Sequence, residues 1–148
     1  MINQISKDKY SKFVIAWFAL MSLWWIIMKL SGDANGNMHL FFGATYGTIL
    51  TLVIGVIGLQ TAKYWGNWKS VMGKAIILLS IGLLAQFFGQ FVFSFYNIVL
   101  DVYVPYPSVA DIGYFGNIPL YLGGIILLGK ASGLKIGLKS LYSQIFAI

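Results

Sequence analysis

Four apolar runs, each long enough to cross a lipid bilayer, constrain this chain more than any other feature. They cover about residues 13–30, 39–62, 75–104 and 109–128. A bilayer's hydrocarbon core is about 30 Å thick, and a helix needs about 20 apolar residues to cross it. Within that core each backbone N–H and C=O must be paired internally, and a helix does this within one segment. Composition points the same way: 59% of the residues are hydrophobic and only 9% are charged. A soluble domain carries about 25% charged residues, so this chain lacks the polar surface to coat a globule in water. The expected fold is all-α: a polytopic membrane protein, built as a four-transmembrane-helix bundle in a single membrane domain over residues 1–148. The lipid bilayer is its first implied partner.

The first run ends in bulky aromatics, Trp24 and Trp25. No small-residue cleavage pattern follows, so a retained helix is expected rather than a removed signal peptide. Ser31–Asn37 reads as a turn, with glycines and Asp or Asn side chains that favour one. The second run carries Gly43, Gly47, Gly55 and Gly58. Small residues at such spacing let another helix come close, either within the chain or in a second copy. Lys63–Lys74 is a basic loop with Trp65 and Trp68, a mixture suited to a membrane interface. The third run stays helix-compatible to about Val104, roughly 45 Å at a rise of ~1.5 Å per residue. Residues 129–148 read as an interfacial amphipathic tail or the start of a further span.

All ten basic residues are lysines, and the net charge is +6. The N-terminal tail holds Lys7, Lys9 and Lys12, the second loop Lys63, Lys69 and Lys74, and the C-terminal tail Lys130, Lys135 and Lys139. Only Lys29 falls on the other side, with Asp33, Asp101 and Asp111. By the positive-inside rule both termini are cytoplasmic. The lysines are topogenic, and no nucleic acid partner is expected. With no cysteine and a single histidine, His39, neither a metal site nor a cofactor is expected. No Gly-rich phosphate loop or nucleophile triad is present, which argues against an enzyme.

Gln86, Gln90, Asn97 and Asp101 are spaced four, seven and four residues apart. Such spacing puts them on one helix face. An amide turned to acyl chains would be left unpaired. The stripe therefore faces other helices, as hydrogen-bonding glue or as the wall of a polar pocket. Next comes the chain's one cluster of prolines and acids, Asp101–Asp111. Pro105 and Pro107 end the third helix and force a rigid crossing. Ser108 and Asp111 have capping-box spacing and start the fourth helix. Asp101, Tyr103, Tyr106, Asp111 and Tyr114 could also line an outer-face site; carboxylates beside aromatic rings suit a cationic or polar ligand. Pro119 is expected to kink the fourth helix near Phe115–Gly116.

The segment Pro105–Tyr121, PYPSVADIGYFGNIPLY, resembles a Pro-Ser-x-Ala-Asp-x-x-Tyr motif of a group of multi-spanning prokaryotic membrane regions. The motif falls here on Pro107, Ser108, Ala110, Asp111 and Tyr114; Ile118-Pro119 matches a later element of the group loosely. The resemblance covers about Ala75–Gly137. Such regions occur alone, or in front of histidine kinase or diguanylate cyclase domains, where they look like sensory inputs. The resemblance implies a prokaryotic, multi-pass protein of the cell membrane acting in signal transduction. Group members often continue into further spans and an output domain. None follows here before Ile148, so signalling implies a separate signalling protein or another membrane-protein partner. The expected function is a non-enzymatic sensor or signal-input module. The alternative is an accessory or structural subunit of a larger membrane complex. A small-solute transporter fits less well, because no carboxylate or lysine lies near mid-membrane in any span.

Overall fold

The computed structural model describes residues 9–32 and 37–133. Residues 1–8 of the predicted N-terminal tail, the centre of the first turn and the tail beyond Gly133 lie outside them, as do both termini; the rest of that N-terminal tail, Lys9 to Lys12, is already helical. The described residues form four long helices: α1 (Lys9–Ser31), α2 (Asn37–Tyr64), α3 (Val71–Ser94) and α4 (Val109–Ala131). A short 3-10 turn, Asn67–Lys69, joins α2 to α3, and a π-helical turn, Phe95–Val99, ends α3. All four are long and apolar enough to cross a membrane. Their outer faces present large apolar side chains, Leu30 and Ile112 among the most exposed. Exposure of that kind is costly in water but ordinary against lipid. The described residues are all-helical, and their four candidate spans mark a membrane protein.

Local chemistry sets where the helices begin and end. Between α2 and α3 the chain reverses through two left-handed residues, Gly66 (φ 84°) and Asn67 (φ 53°). Ser70 then caps α3, its Oγ accepting from the Gly73 N–H at 2.8 Å and donating to the Trp65 carbonyl. The basic loop is thus shorter than Lys63–Lys74, because the cap lets α3 start at Val71. At the other end α3 does not reach Val104. Its last turn widens, so that Leu100 N–H donates to Phe95 O at 3.2 Å and Val102 N–H to Tyr96 O at 3.2 Å. Asp101 adopts a left-handed backbone, φ 51°, and leaves the helix. Pro105 disfavours helical geometry at Val104, and the chain must turn back towards α4. The Tyr106–Pro107 peptide in this crossing is cis. α4 opens on the capping box at Ser108 and Asp111 and runs through Pro119 without interruption.

Packing follows chain order: α1 lies on α2, α2 on α3, and α3 most extensively on α4. The α3–α4 contact is made by glycines. A Cβ on Gly113 would stand 2.5 Å from both Ala85 O and Gly89 N, so these two backbones touch. Tyr121 lies over Gly82, and Leu79 over Gly124. On the other flank of α3, Leu84 covers Gly55, Ser80 covers Gly58 and Gln90 covers Gly47. These α2 glycines therefore pack within the chain, whereas Gly43 has nothing within 4 Å. Ser80 is 3% exposed, and its hydroxyl donates to Ile76 O at 2.7 Å. α1 is held on α2 partly by Trp24, edge-on to Phe42 at 5.7 Å.

Lipid tails are as apolar as leucine, so this close contact, not a hydrophobic drive, holds α3 to α4. Gly113→Val should therefore lower stability by about 1–3 kcal/mol through overpacking. Gly116→Ala, at a position with nothing within 4 Å, should change it by no more than about 0.5 kcal/mol. Reversible unfolding in mixed micelles, followed by helical circular dichroism, measures both.

Candidate functional site

The touching backbones of Gly89 and Gly113 set the distance at which the amides of α3 meet α4. Gln90 Oε1 accepts from the Tyr114 hydroxyl at 3.1 Å. One turn deeper, Gln86 Oε1 accepts from the Asn117 amide. Both glutamines are thus withdrawn from lipid and tie the two helices together. Asn117 is the partner that the sequence reading missed. Its signal was available, because Asp111, Tyr114 and Asn117 recur every three residues on one face of α4.

Asn97, two turns beyond Gln90, reaches no α4 side chain. Its Nδ2 donates to Phe93 O at 2.8 Å. Here the helices no longer touch, and a cavity of about 250 Å³ opens beneath the Pro105–Pro107 crossing. Asn97, Tyr106, Ser108, Asp111 and Tyr114 border it, with Phe93 as an apolar wall. Asp111 is its one carboxylate and no lysine lines it. Oδ2 of Asp111 accepts from the Ser108 N–H at 2.6 Å. Oδ1 of Asp111 and the side-chain carbonyl of Asn97 add acceptors for a bound group beside the Ser108 and tyrosine hydroxyls. Tyr106 is 83% exposed and Tyr103 is 96% exposed, so the crossing forms an open rim rather than a closed lid.

A second cleft of about 260 Å³ lies on the opposite flank of the same helix end. His39, Gly43, Gln90, Ser94 and Asn97 line it. Asn97 and Phe93 therefore stand between the two clefts.

The structure divides the predicted site residues. Asn97, Tyr106, Asp111 and Tyr114 meet at the first cavity, with Pro105 and Ser108 in its wall. Gln90 borders the second cleft, and Gln86 borders neither. Asp101 belongs to neither the helical stripe nor the cavity: it is exposed, and its left-handed backbone takes it off the helical face. Pro107 shapes the crossing, and Pro119 lies in α4 more than two turns beyond Asp111. Among the described residues no group of His, Cys, Asp or Glu could hold a metal ion.

The fold and site thus define a multi-pass helical membrane protein with a small cavity, largely apolar in lining and carrying one carboxylate, at one end of its tightest helix pair. Comparison with family models, curated proteins and solved structures finds no match to the chain.

The amide pairs can be tested by a double-mutant cycle between Gln86→Ala and Asn117→Ala. A coupling of about 0.6 kcal/mol, and at most about 1.7, is expected for interhelical hydrogen bonds in a bilayer. The same cycle between Gln86 and Asp101 should give no coupling.

Proposed function

We propose that this chain is a non-enzymatic membrane sensor or signal-input module. Its ligand is a small cationic or polar solute, taken up in the cavity beneath the Pro-Tyr-Pro crossing. The observation that carries this reading is the convergence of Asp111, Asn97 and Tyr114 on one open cavity of about 250 Å³. A single carboxylate with no lysine in the lining, set among aromatic rings, attracts a cation through charge and through ring quadrupoles. Gln90, bonded to the Tyr114 hydroxyl, ties one wall of the cavity to α3, while Asn97 stands in the turn where the geometry changes from α to π. Binding there would bear on how the third helix ends, and so on its contacts with a partner. The Pro-Ser-x-Ala-Asp-x-x-Tyr resemblance supports the same reading, with a separate signalling protein as recipient in a prokaryotic cell membrane. The lysine distribution supports an orientation with the cavity on the outer face and both termini in the cytoplasm.

A second reading, an accessory subunit of a larger membrane complex, is favoured by the open surface around Gly43 on α2. It predicts a stoichiometric partner in mild-detergent purification.

Ligand-induced thermal shift of the purified chain, across a panel from tetramethylammonium to neutral amides and polyols, tests the sensor reading. At least one solute should stabilise the protein saturably. Asp111→Asn should weaken that response roughly tenfold, the equivalent of about 1.4 kcal/mol. Asp101→Asn should leave it unchanged, since Asp101 stands off the cavity. An equal loss in both variants, or no saturable shift with any solute, contradicts the proposal.

A further inference from the structure

At the end opposite the cavity, the first turns of α1 and the last turns of α2 enclose a groove of about 420 Å³. Phe13, Val53, Val56 and Ile57 form its apolar wall, and Lys9 and Gln60 stand at its mouth. From Gln60 to Val53 is seven residues of helix, about 10 Å of depth. One leaflet of hydrocarbon is about 15 Å deep, half of a ~30 Å core. With Lys9 set among the headgroups, such a groove is polar towards its mouth and apolar along its depth.

Charge decides what occupies it. Lys12, Lys63, Lys69, Lys74 and Lys130 join Lys9 at this end, on the starts of α1 and α3, the ends of α2 and α4 and the turn between α2 and α3. Among the described residues no carboxylate lies with them; Asp8 precedes the described part of the chain. Asp101 and Asp111 lie at the far end. Zwitterionic headgroups gain little from such a field, whereas anionic lipids gain about 1 kcal/mol per nearby lysine. Basic pockets between membrane helices are known resting places for anionic headgroups.

We propose that the α1–α2 groove is a binding site for one anionic phospholipid of the surrounding bilayer. Its acyl chain lies along Phe13, Val53 and Val56, and its phosphate rests against the Lys9 ammonium and the Gln60 amide. α1 touches the rest of the protein chiefly through α2, so the lipid fills the space that the two helices leave between them and fastens α1 in place. The site is independent of the sensor reading.

The test is native mass spectrometry of the full chain, delipidated in mild detergent and titrated with phosphatidylglycerol or phosphatidylcholine of identical acyl chains. The first phosphatidylglycerol should be retained at least roughly fivefold better, the equivalent of one lysine–headgroup contact. Lys9→Gln, a substitution at an exposed helix start, should bring that preference close to unity. Lys69→Gln, in the α2–α3 turn and outside the groove lining, should leave it intact. Val53→Trp should fill the groove and remove the retained lipid of either type; its helicity by circular dichroism must match that of the unaltered chain for this arm to count. Equal retention of the two lipids by the unaltered chain overturns the proposal. So does an unchanged preference in Lys9→Gln, and so does a loss in Lys69→Gln as large as in Lys9→Gln, which would assign the effect to diffuse surface charge.

Discussion

The contact of the Gly89 and Gly113 backbones is the constraint on which the rest of the structure depends. In lipid no water can satisfy an exposed amide, and van der Waals contact between helices replaces the hydrophobic effect as the force of association. Two glycines facing each other let α3 and α4 meet without side chains between them. That separation brings Gln90 to Tyr114 and Gln86 to Asn117. A wider one would leave four polar groups unpaired in hydrocarbon. Packing and hydrogen bonding are therefore one event, and each depends on the other.

The same contact explains why a cavity exists where it does. Beyond Gly89 no second glycine pair continues the seam, and Asn97 bonds to its own helix at Phe93. The π turn over Phe95–Val99 then carries the chain off the helical axis, and the prolines return it to Ser108. Helices that touch at one level and diverge at the next leave a wedge of space. Asp111 enters that wedge because the helix start needs a carboxylate at this position to receive the Ser108 N–H. One side chain thus serves as both cap and cavity wall, so the two readings of the Ser108–Asp111 pair made from the sequence are compatible.

Much of this architecture can be read from the residues alone. Hydropathy gives the four spans, and Pro-Ser-x-x-Asp gives the start of α4. The glutamine spacing shows that Gln86 and Gln90 share a face, and the bilayer forbids that face from meeting lipid. What the sequence does not carry is the register between helices. The glycines of α2 permit close contact with any neighbour; that Gly55 and Gly58 meet Leu84 and Ser80 is decided in three dimensions. Asn117 shares a face with Asp111 and Tyr114 in the sequence, but which residue it bonds to appears only once Gln86 lies opposite. Asp101 misled for a different reason. Helical spacing extends the stripe to it, yet the prolines act backwards along the chain and unwind the turn that would have placed it there.

The central claim is that the amide row of α3 is turned towards α4 and emerges into a water-accessible cavity. The chain has no cysteine, so single-cysteine nitroxide labels at each position from 83 to 97, read in lipid vesicles, test it directly. Collision with oxygen reports lipid exposure, and collision with a water-soluble nickel chelate reports aqueous access. The account predicts oxygen minima at positions 86 and 90, oxygen maxima at exposed positions such as 88 and 91, and nickel access rising at 97. Oxygen maxima at 86 and 90, or a position 97 closed to the chelate, would contradict it.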